Sequence, residues 1–127
     1  MYYQKKVING LCQLDYIRQQ NVQLKDQLSV LLQLEISSLQ IQAAERFHQK
    51  FIENDQIVEL LRYEINTLFI QPKRYQKVTK GDSVHKKFQM IHSDIQNIKK
   101  EFLQLKAHFC HFKSTIDTAR HLGSSLR

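Results

Sequence analysis

The stretch VHKKFQMIHSDIQNIKKEFLQLKAHFCHFKSTI, residues 84–116, sets the terms on which the rest of the chain is read. Its apolar side chains fall at Val84, Phe88, Ile91, Ile95, Ile98, Phe102, Leu105, Phe109, Phe112 and Ile116, in steps of four and three that alternate without a slip. A mean step near 3.5 residues keeps one narrow seam of a helix turned toward a partner helix along its whole length. The spacing predicts an all-α protein whose last helix covers about 84–120. Asp82 or Ser83 is placed to cap its start, and Gly123 to stop it.

Immediately before this helix, residues 72–83 (PKRYQKVTKGDS) hold the chain's one proline and one of its three glycines. They read as a basic linker within a single 1–127 domain. Upstream of it the heptad continues through Phe47, Phe51, Asn54, Val58, Leu61, Ile65 and Leu68, and Gln71-Pro72 ends it because proline supplies no amide donor. Ile52, Ile57, Leu60, Phe69 and Ile70 widen this apolar stripe, which implies more than one neighbouring helix. A short linker between long helices predicts an antiparallel coiled-coil hairpin. Its helix–helix interface is expected at Phe47, Phe51, Val58, Leu61, Ile65 and Leu68 on one side. Phe88, Ile91, Ile95, Ile98, Phe102, Leu105, Phe109 and Phe112 are expected on the other.

Toward the N-terminus, Leu14, Ile17, Asn21, Leu24, Leu28 and Leu31 repeat at three and four. Asn21 and Asn54 put amides on the seam, where such groups fix register at a cost in stability. Two architectures follow from residues 36–38. Ser37 with Gln40 matches a capping box, and Ile36 with Ile41 a hydrophobic staple, so a turn there gives an up-down-up three-helix bundle. The other reading rests on the stripe Leu24, Leu28, Leu32, Ile36, Leu39, Ala43, Phe47 and Phe51, and on the lack of any Gly or Pro from Leu11 to Gln71. Tight reversals usually recruit Gly, Asn, Asp or Pro. The preferred expectation is therefore a continuous N-terminal helix over about 4–70, on the order of 100 Å long at 1.5 Å per residue.

The net charge of +7 is unevenly placed. Residues 41–71 carry three positive and five negative side chains, and residues 72–127 carry twelve positive and four negative. With Phe88 at heptad position a, the e positions of the last helix are His85, His92, Lys99, Lys106, Lys113 and Arg120. These are expected to flank Glu45, Glu53, Asp55, Glu59 and Glu64 of the preceding helix and so to select partner and orientation.

The chemistry of catalysis is not visible in this pattern. There is no Gly-rich phosphate loop, H-E-x-x-H, C-x-x-C or nucleophile elbow. His108, Cys110 and His111 do not converge from a regular helix, so no metal, cofactor or catalytic residue is expected. Cys12 and Cys110 read as reduced packing residues of a cytoplasmic protein. No apolar run approaches the roughly 20 residues of a membrane span, and the N-terminus has no secretory signal pattern. A two-helix hairpin alone buries too little to offset its ordering entropy. A third surface is needed, from a folded-back first helix or from another chain. The expected function is that of a non-enzymatic scaffold or adaptor subunit, self-associating or built into a larger assembly. The alternative is non-specific nucleic-acid binding through Lys73, Arg74, Lys77, Lys80, Lys86 and Lys87, which could neutralise phosphates or meet an acidic partner.

Overall fold

A computed structural model of the chain describes residues 4–70 and 81–125. Among them every element is helical: α1 is Gln4–Leu32, α2 is Ser38–Ile65 and continues as a π-helical turn over Asn66–Ile70, and α3 is Gly81–Ser125. The three pack as an up-down-up bundle. Asn21 meets Phe51 and Asp55, and Asp15 meets Arg62, so α1 and α2 run antiparallel. Gln13 meets Gln96 and Gln20 meets Lys106, so α1 and α3 run parallel.

The expected continuous helix over 4–70 is therefore corrected: the chain reverses at residues 33–37. Gln33 N–H donates to the Val30 carbonyl and Leu34 N–H to the Leu31 carbonyl, both at 3.1 Å, and these i→i−3 bonds tighten the end of α1. Ser37, in extended conformation, then opens α2. Its hydroxyl accepts from Gln40 N–H at 3.1 Å while Gln40 Oε1 accepts from Ser37 N–H at 2.9 Å, a complete capping box. Among the described residues none has positive φ, so this reversal does not require glycine. The long stripe that argued for continuity is not one buried face, because Leu32 and Leu39 lie exposed, Leu39 by 76%.

The last helix is longer than expected at both ends. It begins at Gly81, so Asp82 and Ser83 lie inside it, and Gly123 does not stop it. Its seam still sets the core: Phe88, Ile91, Ile95, Ile98, Phe102, Phe109 and Ile116 are buried, and Leu105 and Phe112 pack partly buried against them. From α2, Phe51, Val58, Leu61 and Ile65 are buried, with Phe47 and Leu68 at the edge. From α1 come Val7, Leu14, Ile17, Leu24, Leu28 and Leu31. Burying each such side chain is favourable by about 1.5–3 kcal/mol, which is why the seam dictates the assembly of the helices.

Aromatic pairs fix the register of α2 on α3 at both ends. Phe109 meets Phe47 and Phe51 edge-on with centroids 5.4 Å apart, and Phe47 lies 5.2 Å from Phe112. At the opposite end Phe69, in the π-helical turn, meets Phe88 at 5.8 Å and 89°. Gly10 lets α1 approach α3 closely, since a Cβ there would lie 3.1 Å from Ile95 Cδ1.

Candidate interaction surface

Three grooves separate the helices, and they are finished differently. The α1/α2 groove is laced by charge. Lys25 Nζ lies 2.5 Å from Asp55 Oδ2, Arg18 lies 3.8 Å from Glu59, and Arg62 pairs with Asp15. Beneath these pairs the buried Asn21 Nδ2 donates to the Phe51 carbonyl at 2.8 Å and to Asp55 Oδ1 at 2.5 Å. Among the described residues the α1/α3 groove carries two hydrogen bonds, Gln96 Nε2 to Gln13 Oε1 at 3.2 Å and Lys106 Nζ to Gln20 Oε1 at 2.8 Å. Between them lies a hollow of about 380 Å³ lined by Cys12, Gln13, Tyr16, Lys99 and Leu103.

This distribution corrects the expected charge pairing between α2 and α3. Asp55 and Glu59 pair with α1, Glu53 lies 3.8 Å from Lys50 of its own helix, and Lys106 turns to Gln20. The physical reason is the third helix: with α1 folded back, one flank of the α3 seam faces α1 and not the acidic α2.

Across the α2/α3 groove no side-chain hydrogen bond or ion pair is formed among the described residues; the rings and aliphatic side chains of the core make the contact. Its hollows adjoin one another. The widest, about 530 Å³, is lined by Arg46, Phe47, Lys50, Asn54, Leu105 and His108 among others. Ile57 and Glu101 join it to a second of about 220 Å³, and Glu64 and Asp94 join that to a third of about 400 Å³. The walls are apolar and open: Ile57 is 38% exposed, Leu60 56%, Tyr63 67% and Met90 66%. Asn54, only 7% exposed, lines the widest hollow, and its Nδ2 has no hydrogen-bond partner. A buried amide donor left unpaired costs roughly 1–3 kcal/mol.

Of the basic residues singled out in the sequence, Lys73, Arg74, Lys77 and Lys80 lie outside the described residues. Lys86 and Lys87 are exposed near the start of α3, and Lys87 borders the third hollow. Cys12 and Cys110 are free thiols, but both are exposed, so the expectation that they pack in the core is corrected. They occupy positions next to seam residues, Leu11 and Phe109, and are turned outward by the helical period. Among the described residues no group of three or more His, Cys, Asp or Glu side chains is placed to hold a metal ion, and no helix is long and apolar enough to cross a membrane.

Sequence reasoning missed the groove as a surface, although it met the signal for it. The side chains that widen the α2 stripe, Ile57 and Leu60, were expected to meet a further helix, and α1 does not cover them. Comparison of the chain with protein-family models, with curated proteins and with solved structures gives no match.

Proposed function

We propose that this chain is a non-enzymatic interaction protein, a helical scaffold or adaptor of the cytoplasm, and that it engages other protein through the α2/α3 groove. The observation that carries the reading is the contrast among the three grooves. Two carry polar bridges between helices, although the α1/α3 groove also leaves Tyr16 and Leu103 exposed around one separate hollow. The α2/α3 groove has no such bridge among the described residues and presents Ile57, Leu60, Tyr63 and Met90 to solvent along adjoining hollows. Contiguous exposed apolar side chains rimmed by charge are the mark of a protein-binding face. The bundle supplies the third helix that a hairpin would need, so stability alone no longer calls for a second chain. The argument for a partner rests on this surface.

A photo-crosslinking side chain placed at Leu60 tests it in cells that make the protein. Cross-linked protein products are expected there and not from the control position Val22, which is exposed on α1. Equal yields at the two positions would remove the groove as the site of interaction.

A further inference from the structure

The rim charges of the α2/α3 groove are arranged along its length. Arg46 and Lys50 stand at the end formed by the start of α2, where the groove is widest, with Glu53 beside them. Glu64 and Asp94 stand together on the far hollows, the outer of which Lys87 also lines. Lys50 and Glu64 are separated by fourteen residues of helix, about 21 Å at 1.5 Å per residue. Ile57 and Glu101 lie midway, shared by adjoining hollows. Among the described residues Arg46, Glu64, Asp94 and Glu101 have no ion-pair partner within the chain, and Lys50 reaches only Glu53 at 3.8 Å.

Both ends carry both signs, but the cations Arg46 and Lys50 are offset along the groove from the carboxylates Glu64 and Asp94, so at these positions the face is complementary to itself when turned end for end. We propose that the groove is a self-docking face, on which a second copy of this chain packs about a two-fold axis crossing the helices near Ile57. The inference rests on the reading of the groove as an interaction surface and names its occupant. In this arrangement α2 faces α2 of the partner and runs antiparallel to it, so Arg46 and Lys50 of each copy approach Glu64 of the other. Asp94 in turn comes level with His108 across the α3 pair. The alternative two-fold, parallel to the helices, sets Glu64 against Asp94 and is opposed by like charge. An isologous contact of this kind repeats each pairing twice.

The size is adequate. The groove runs over some 25 residues of helix, about 37 Å, and is two helix diameters or about 20 Å wide. That corresponds to roughly 700 Å² per copy, close to the ~800 Å² of a standard interface. Closure covers Ile57, Leu60, Tyr63 and Met90. Glu101 lies closest to the axis, where it meets its own copy; this is the one repulsive element, and it gives the arrangement a signature.

The test is the solution mass of the full chain across a concentration series, with charge-reversed variants at these surface positions. The wild type is expected to dimerise. Arg46→Glu with Lys50→Glu, and separately Glu64→Lys with Asp94→Lys, are each expected to weaken the dimer by roughly tenfold or more. An equal mixture of the two variants restores a heterodimer, and the fourfold variant restores the homodimer. Glu101→Gln tightens it. Circular dichroism of each variant confirms that the helices persist, and Leu60→Asp provides an independent disruption if a charge variant fails to fold. A wild-type chain that stays monomeric, or a dimer indifferent to the reversals, overturns the proposal. Leu60 cross-links to a different protein, with no self-association, overturn it too while leaving the interaction reading in place.

Discussion

Asn21 Nδ2 donates to Asp55 Oδ1 across 2.5 Å, tying α1 to α2 at a layer of the core where amides stand in place of hydrocarbon. Asp55 is held from its other side by Lys25 Nζ, also at 2.5 Å, so one carboxylate receives a buried amide and a half-buried ammonium. The side-chain Oδ1 of Asn21 has no partner, and neither has the Nδ2 of Asn54. This layer serves the choice of register more than stability, because any slip of α1 along α2 separates Asn21 from both of its acceptors.

Asn21→Ala is accordingly expected to lower unfolding free energy by about 1–3 kcal/mol in urea titration. In a double-mutant cycle with Asp55→Ala the two losses should fall short of additivity by about 0.5 kcal/mol or more. Additive losses would mean that the bond contributes nothing to the folded state.

Phe109 is fully buried and touches Phe47 and Phe51 edge-on. Phe109→Ala should cost about 3–5 kcal/mol, a large share of the roughly 5–15 kcal/mol by which a domain is stable. Phe112→Ala, at a half-buried ring, should cost less. Thermal melts of the two variants check the order, and the reverse order would contradict the packing described.

Gly10→Ala places a methyl group 3.1 Å from the flexible end of Ile95. The gain in helix propensity, roughly 1 kcal/mol, offsets the small shift required of that end, and stability should change by less than about 1 kcal/mol. Gly10→Val overfills the same contact and should cost about 1–3 kcal/mol. Urea midpoints of the pair separate a tight α1/α3 approach from a merely tolerated glycine.

Replacing Lys73, Arg74, Lys77 and Lys80 with Gln should leave the unfolding free energy from urea titration within about 0.5 kcal/mol and the solution mass unchanged. If the native chain bound nucleic acid with a steep salt dependence that this variant lost, the basic segment would carry the function instead of the groove.

Much of the fold was legible because a period cannot be hidden. The alternation from Val84 to Ile116 named the α3 core positions, and the heptads of the other helices named Leu14, Ile17, Phe51 and Val58. What misled was the absence of glycine and proline around Ser37. A reversal built from i→i−3 bonds and a capping box uses only ordinary backbone conformations, so its local signature was confined to the pair Ser37 and Gln40 and the flanking Ile36 and Ile41. The groove was hidden for another reason. Whether Leu60 is covered or open depends on where α1 lies, and that is set by long-range packing absent from any local pattern.

The turn at residues 33–37 has a consequence for how separate two molecules can stay. Because no glycine or proline breaks the helical propensity there, the only local features that oppose straightening of α1 and α2 into one rod are the Ser37–Gln40 cap and the two i→i−3 bonds. The packing of α1 on α2 can be recovered between chains. A straightened rod would hand α1 to the bundle of a neighbour, in the same contacts it makes at home. Ser37→Ala with Gln40→Ala, at a cost of about 0.5–2 kcal/mol, should therefore yield strand-exchanged species that native mass spectrometry detects between isotope-labelled and unlabelled chains. Absence of such exchange would show that the bend is held by the packing around it and not by its cap.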